Sequence, residues 1–557
     1  MRISFNILFI ALLGILLLIS ASDAYADKQQ GMIVTAHPLA SEAGLSVLRD
    51  GGNAVDAAVV SALVLGIVEP YASGLGGGGG MLIYLHDADS LTYVNYYPCA
   101  PRLVPTDFNR EKEARSALAA LVPGTVAGLH HALSHYGTMT WDQLLHRIIK
   151  RFKDGFEVDL NLNKNIFDAY ESLLVNKQTR EIYLVDDFPP ETGDKLNNQR
   201  LMRTLTLLAD GGPDLFYHGE IADSIDAFMI EQGGGLRKSD LEAYRVREFK
   251  PVRGTYRGRN IVSAPPPQSG MTLIEILNIF ETRALPQAPH YTEDTTILHF
   301  MAEANKLAYA DRRKYLSDKK YMDVPLDILI SKPFAELRAR EIDMKKAIQS
   351  DAMDIPAGDI GPFKTPELIK SDHHGSTTHI SVCDGSGNAV SLTQTLNFFW
   401  GCSHSVCGFL LNNGMTSFSN FNPANATLSG RQPRSTIAPS LIFKDNSLTG
   451  VIGTPGSGRI LSTMATVISN LIDHDYDADS ANRAPRFANL NWTRKLKMEN
   501  RFSPQLIAAL EELGHDIDTL SDFDLYFGGV QLILIDPENG HLTGSTDPRR
   551  AGIALGY

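Results

Sequence analysis

Two threonines in a predicted hairpin are the residues of this sequence best placed for covalent chemistry. Thr377 begins a run of β-branched and small residues, and residues 389–396 form a second run with alternating character. Asp384-Gly385-Ser386-Gly387 lies between the two runs and is typical of a tight turn, because glycine adopts positive φ at little cost. Antiparallel pairing about this turn places Thr377 opposite Gln394 or Thr395. The hydroxyl groups of Thr377 and Thr395 are therefore expected to lie side by side.

This arrangement suits an N-terminal nucleophile. Cleavage before Thr377 would free its α-amino group, which could then act as the base for its own hydroxyl. Residues 345–372, just upstream, are rich in Pro, Gly and charge without periodicity, and this pattern predicts a flexible segment that would favour self-cleavage. The alternative is an exposed, threonine-rich hairpin with no chemistry, since threonine is common in strands.

Two glycine-rich runs have different interpretations. The turn from Gly453 to Arg459 precedes a predicted helix at 460–473, where free backbone N–H groups could form an oxyanion hole. The run at 73–80 lacks the Lys-Ser/Thr of a phosphate-binding loop and precedes a strand. It therefore favours close packing of backbone near a site.

A metal site is the competing chemistry. Cys402, His404 and Cys407 could be ligands, but there is no second Cys/His pair at zinc spacing, so we expect neither a metal nor a cofactor. Cys402 and Cys407 could equally close a small disulfide loop, which spacing cannot decide.

Strands and helices alternate along the whole chain, which predicts a layered sheet structure covered by helices. Strands are predicted at 32–36, 81–85, 256–263, 440–443, 448–452, 530–536 and 542–545, and the main helices at 40–50, 53–68, 271–281, 295–315 and 460–473.

Composition restricts the function classes. The chain has 557 residues, 43% hydrophobic and 21% charged, which is ordinary for a globular protein. The net charge of −13 argues against nucleic acid as a partner, because phosphate binding needs a basic face.

The first residues resemble a targeting signal. Arg2 precedes an apolar run at 7–19 that is short for a membrane span, and Ala24-Tyr25-Ala26 is an A-x-A cleavage site. We expect residues 1–26 to be a signal peptide and the mature protein to be exported to the periplasm or the exterior, with no membrane span. An uncleaved anchor is the alternative.

Ordered motifs across the chain resemble the γ-glutamyltransferase family of N-terminal nucleophile hydrolases. They include Gly51-Gly52-Asn53-Ala54-Val55-Asp56, Pro266-Pro267-Gln268-Ser269-Gly270, Tyr309-Ala310-Asp311-Arg312, Thr377-Thr378-His379 and Pro455-Gly456-Ser457-Gly458-Arg459. The resemblance implies an α+β, four-layer αββα sandwich. It also implies a precursor that cuts itself into a large subunit, 27–376, and a small catalytic subunit, 377–557, which pair as a heterodimer.

The resemblance also implies residue roles. Thr377 would be the nucleophile and Thr395 its hydrogen-bonding partner, while Gly456 and Ser457 would supply the oxyanion hole. Asn397, Ser435 and Thr436 match positions that hold a γ-glutamyl head group.

Two positions depart from the family pattern. Tyr97 stands where the family has an arginine for the substrate α-carboxylate, and Ser417 stands where it has an aspartate for the α-amino group. The loop at 420–433 is also short, which suggests an open site. Arg434, Arg549 and Arg550 are candidate replacements for binding an anionic or polymeric substrate, or else structural ion-pair residues.

The resemblance thus implies cleavage of γ-glutamyl amides, as in glutathione, through a threonyl acyl-enzyme with transfer to water or an amino acceptor. The alternatives are an acylase for other short acyl amides or for poly-γ-glutamate, and an inactive binding homologue in the envelope.

Overall fold

Two stacked sheets form the centre of the molecule. The computed structural model describes residues 30–105, 107–350, 354–361, 376–419, 422–489 and 494–557. The signal-peptide prediction for residues 1–26 lies outside this range. None of the helices in the described part of the chain is both long and apolar enough to cross a bilayer.

The front sheet has seven strands and carries Thr377. Its strands lie in the spatial order Ile553–Gly556, Met32–Thr35, Ser376–Cys383, Ala389–Asn397, Gly78–Leu85, Ser90–Asn95 and Arg247–Phe249. The back sheet has six, in the order Leu542–Thr546, Gln531–Ile535, Ser447–Gly453, Ser440–Lys444, Arg259–Ser263 and Val252–Tyr256.

Helices cover the outer face of each sheet. Those against the front sheet include Pro38–Arg49, Ala54–Val68, Thr125–Tyr136, Trp141–Phe152, Gln199–Gly211 and Glu220–Glu231. Those against the back sheet include Gly270–Glu281, Thr295–Tyr315, Lys332–Arg340, Ile460–Asp473 and Pro504–Glu512. A smaller sheet of Phe487–Asn489, Lys495–Glu499 and Asp516–Leu520 packs beside the second set.

Alternation along the strands explains the four layers. Ile33 packs into the core under the front helices, whereas its neighbours Met32 and Val34 pack between the two sheets with Leu441 and Ile533 of the back sheet. Successive strand residues face opposite sides, so a strand that is apolar on both faces must be covered on both. The predicted αββα sandwich is confirmed.

Most predicted elements are present, but one strand prediction was wrong. Residues 256–263 form a hairpin, because Arg257 (φ 48°) and Gly258 (φ 76°) make a two-residue left-handed turn between Val252–Tyr256 and Arg259–Ser263. The sequence did not predict the strand Ile553–Gly556, which follows Leu542–Thr546 and pairs with Met32–Thr35 in the front sheet.

The predicted flexible segment at 345–372 is only partly described. Within it, the Gly358 N–H donates to Asp311 Oδ1 (2.6 Å) and Gly358 O accepts from the Tyr315 hydroxyl (2.6 Å). Residues 354–361 are therefore anchored to the end of the helix Thr295–Tyr315. Residues 351–353 and 362–375 lie outside the described residues.

Candidate active site

The hairpin register places Thr377 beside Thr395. Thr378 pairs with Gln394 and Ser376 with Asn397, so the ladder shifts between these two pairs and Thr395 lies at the irregularity. The Oγ1 atoms of Thr377 and Thr395 are 3.5 Å apart, and both side chains are buried. The side-by-side hydroxyls predicted from the turn are present.

The glycine run at 73–80 lies against the strand that contains Thr395. Gly78 and Gly79 pair with Thr395 and Gln394 in the neighbouring strand. A Cβ at Gly77 would lie 2.4 Å from the carbonyl oxygen of Thr395, and one at Gly76 would lie 2.1 Å from that of Leu410. Only glycine permits this approach, as the sequence indicated, and the run holds the strand of Thr395 in place.

Asn397 and Ser417 are brought together at one side of the threonine pair. The Asn397 N–H donates to Thr395 Oγ1 (2.7 Å), and Asn397 Oδ1 accepts from the Ser417 hydroxyl (2.7 Å). Asn397 adopts φ 80°, a left-handed conformation that asparagine tolerates, and its Nδ2 donates to Asn413 and Thr416. In this conformation the partly buried side-chain amide of Asn397 lies beside the strand Ser376–Cys383.

Ser435 and Tyr97 form a second group. The Ser435 N–H donates to the carbonyl of Pro267 (3.1 Å), and its own carbonyl accepts from Ser269 Oγ (2.5 Å). Burial raises the pKa of Tyr97, a shift opposed by a hydrogen bond with Ser435. Thr436, the next residue, is only partly buried.

The loop after the strand Ser447–Gly453 carries the predicted oxyanion hole. Gly456 (φ 131°) and Ser457 (φ 54°) both adopt positive φ ahead of the helix Ile460–Asp473. Neither of their N–H groups donates to another described residue. A Cβ at Gly453 would lie 2.1 Å from the ring of His379, two residues beyond Thr377, so the loop begins against the strand Ser376–Cys383.

A buried charge pair supports the other face of this strand. Thr378 Oγ1 donates to Glu69 Oε2 (3.0 Å), and Glu69 Oε1 lies 3.7 Å from Arg550 Nη1. Arg550, one of the candidate anion-binding residues, is thus engaged with Glu69.

Comparison with known proteins agrees with this geometry. The family model described as Gamma-glutamyltranspeptidase matches residues 40–557. The chain belongs to the gamma-glutamyltranspeptidase family.

The relatives match over almost the whole chain. Glutathione hydrolase proenzyme of Escherichia coli (strain K12) is 35% identical over 553 residues, covering 95% of this chain and 92% of that protein. The protein of the same name from Bacillus subtilis (strain 168) is 31% identical, and the match covers 100% of this chain and 99% of that protein. The crystal structure of cephalosporin acylase from Bacillus halodurans superposes with a TM-score of 0.83 at 28% identity, covering 95% and 96%. The chain is therefore an N-terminal nucleophile enzyme of this family.

The ligand atoms of Cys402, His404 and Cys407, the residues of the metal alternative, do not all lie within 4.8 Å of one another in the structure. All four cysteines are free thiols, and His404 Nδ1 contacts the carbonyl of Cys402 (2.8 Å). Among described residues, the group whose ligand atoms converge within 4.8 Å is instead His299, Glu303 and His515. In this group Lys306 Nζ donates a hydrogen bond to Glu303 Oε1 (2.7 Å), so a buried ion pair already balances the charge of the Glu303 carboxylate.

The three candidate arginines have different environments. Arg549 pairs with Glu499 (2.6 Å) and Asp547 (3.0 Å), which makes it a structural residue. Arg434 has no carboxylate partner among the described residues. Arg312, in the Tyr309–Arg312 motif, also has no carboxylate partner among the described residues. Its burial could not be predicted from sequence, because a helical arginine is usually solvated.

Proposed function

We propose that Thr377 is the catalytic nucleophile of a self-processing amidase. The chain would cleave itself between Ser376 and Thr377 into a large subunit, 27–376, and a small subunit, 377–557, that remain paired. The observation that carries the proposal is the buried Thr377–Thr395 pair at the head of the strand Ser376–Cys383. Thr395, fixed by the glycine run and the Asn397 N–H, orients the nucleophile hydroxyl.

The reaction then needs no cofactor. The free α-amine of Thr377 accepts the proton of its own Oγ1, which attacks the carbonyl carbon of an amide. The N–H groups of Gly456 and Ser457 stabilise the resulting oxyanion. The C–N bond breaks as the leaving amine takes the proton, which leaves a threonyl ester. Water or an amino acceptor then attacks this ester, releases the acyl group and restores the hydroxyl.

The proposed substrates are γ-glutamyl amides such as glutathione. Two full-length relatives carry the name glutathione hydrolase proenzyme. In this proposal Asn397, Ser435 and Thr436 hold the acyl group. We propose export to the periplasm or the exterior from the signal-like residues 1–26.

A second candidate is an acylase for short acyl amides without the glutamyl ammonium group. Tyr97 and Ser417 favour it, because neither side chain can balance the charges of a zwitterionic head group. The structural similarity to a cephalosporin acylase is consistent with it.

Expression of the wild type and Thr377→Ala tests the mechanism. The wild type should give two bands on a denaturing gel and hydrolyse γ-glutamyl-p-nitroanilide, while Thr377→Ala should give one band and no activity. Thr543→Ala, at an exposed threonine of the back sheet, is the matched control and should behave as the wild type. A single full-length band for both the wild type and Thr377→Ala would refute the mechanism, as would loss of wild-type activity to chelators.

A further inference from the structure

Two arginines without acidic partners lie beside the head-group residues. Arg312 is 7% exposed, and the only hydrogen bond of its guanidinium to a described residue runs from Nε to Ser269 Oγ (2.7 Å). Arg434 is partly buried, and its Nη1 donates to the carbonyls of Arg312 and Arg313. Its buried Nε has no hydrogen-bond partner in the described chain. Neither guanidinium forms an ion pair with a described carboxylate.

The nearby acids are already engaged. Asp311 pairs with Arg338 (2.8 Å), and Asp318 pairs with Arg247 (2.9 Å). Burial lowers the pKa of Arg312 to about 10, and this shift is opposed by Tyr309 and Tyr97. The pKa of Arg434 is well below its usual range, through burial and repulsion from Arg312 and other arginines. A buried cation with no anion beside it is unfavourable, so a bound anion would stabilise this pair.

Contacts connect this pair to Asn397 beside the threonine pair on one side and to Ser435 on the other. The Arg434 N–H donates to Asn425 Oδ1 (2.8 Å), and Asn425 Nδ2 donates to the carbonyl of Ser417 (2.7 Å), whose hydroxyl reaches Asn397. From the other side, Arg312 holds Ser269, which in turn donates to the carbonyl of Ser435.

In the described chain, position 417 supplies no carboxylate for a substrate ammonium group. Ser417 carries no charge, and its hydroxyl proton is used by Asn397. Positively charged Arg312 and Arg434 would repel an ammonium group nearby. The chemistry of the site therefore matches an acyl chain that ends in a carboxylate and bears no amine.

We infer that Arg434, supported by Arg312, binds the free carboxylate of the acyl group, and that the enzyme prefers half-amides of a dicarboxylic acid, such as glutaryl amides, to γ-glutamyl amides. This inference rests on the proposed threonine amidase function. It transfers the carboxylate-binding task from position 97, where the family has arginine and this chain has tyrosine, to position 434.

Three p-nitroanilides isolate the two charges of the substrate. γ-Glutamyl-p-nitroanilide has both, glutaryl-p-nitroanilide lacks the ammonium group, and butyryl-p-nitroanilide lacks both charges. For the processed wild type, kcat/KM should be at least as high with the glutaryl substrate as with the γ-glutamyl one. It should be about 100-fold lower with the butyryl substrate, as expected when a charge-assisted contact is missing.

Variants of Arg434 test whether its side chain recognises the substrate carboxylate. Arg434→Leu should lower kcat/KM for the two carboxylate substrates about 100-fold and leave the butyryl value unchanged, and Arg434→Lys should recover part of the loss. Arg340→Leu, at an exposed arginine of the helix Lys332–Arg340, is the matched control. If Arg434→Leu does not cleave itself into two subunits, Ser417→Asp carries the test. A new carboxylate at position 417 should raise kcat/KM for the γ-glutamyl substrate relative to the glutaryl substrate.

Two outcomes would overturn the inference alone. One is an equal loss of kcat/KM for all three substrates in Arg434→Leu. If Ser417→Asp carries the test, the corresponding outcome is an unchanged ratio of kcat/KM for the γ-glutamyl and glutaryl substrates. The other is a wild type about tenfold or more better with the γ-glutamyl than with the glutaryl substrate. A wild type that remains a single band and hydrolyses none of the three would instead overturn the proposed function, and this inference with it.

Discussion

The molecule contains two clusters of buried arginines, and they differ in what surrounds them. In the first, Arg549 lies between Glu499 and Asp547, and Arg486 pairs with Asp547 (2.5 Å). In the second, Arg312 and Arg434 lie near each other with no described carboxylate beside either. Their comparison suggests that the first cluster holds the fold together and the second keeps its charge available for a ligand.

The pKa values of Arg549 and Arg312 shift in opposite directions, whereas burial and repulsion from Arg549 lower the pKa of Arg486 to about 10 despite its ion pair with Asp547. Nearby carboxylates raise the pKa of Arg549 despite its burial, whereas burial lowers the pKa of Arg312 to about 10. An ion pair offsets part of the desolvation cost of a buried charge, and an unpaired charge has no such compensation. The two clusters should therefore differ in their response to mutation, ligand and salt.

Removing an acid from the paired cluster should have the largest effect. Glu499→Gln leaves Arg549 and Arg501 without their shared carboxylate, and should lower the free energy of unfolding of the mature enzyme by about 3–5 kcal/mol. Chemical unfolding followed by circular dichroism measures this. Glu511→Gln, at an exposed glutamate of the helix Pro504–Glu512, is the control. Unchanged stability in Glu499→Gln would show that the paired cluster does not hold the fold.

The sequence predicted the nucleophile hairpin well because its determinants are local. A glycine turn sets the register, and a period of two then decides which side chains face each other, so Thr377 and Thr395 could be placed together without coordinates. The glycine run, the turn before Ile460 and the helix Thr295–Tyr315 were also recognisable from local pattern.

The arginine environments could not be predicted in this way. Arg434 and Arg549 look alike in sequence, since each lies next to a proline-containing turn. Glu499 is distant from Arg549 along the chain, and only the packing of the small sheet against the C-terminal loop brings the two together. The absence of an acid near Arg434 is equally a property of the tertiary structure. The short strand Ile553–Gly556 was missed for a related reason, because only pairing with Met32–Thr35 defines it.

A small dicarboxylate should stabilise the unpaired cluster. Glutarate at about 100 times its dissociation constant should raise the stability of the processed wild type by about 2.7 kcal/mol, because it binds only the folded form. The rise in thermal midpoint measures the effect, and butyrate, which lacks the second carboxylate, is the ligand control. Arg434→Leu should lose the response to glutarate. An equal shift by butyrate would show that the second carboxylate is not recognised.

Salt should have the smallest effect, and it should distinguish the two arginine clusters without mutation, by changing KM but not thermal stability. Arg434 is partly exposed, and the Debye length falls from about 10 Å at 0.1 M salt to about 3 Å at 1 M. The KM for glutaryl-p-nitroanilide should therefore rise a few-fold over this range, while that for butyryl-p-nitroanilide should stay constant. Thermal stability should change little, because Arg549, Glu499 and Asp547 are buried and screened much less. An equal salt response for the two substrates would assign the effect to the enzyme as a whole rather than to attraction between Arg434 and the substrate carboxylate.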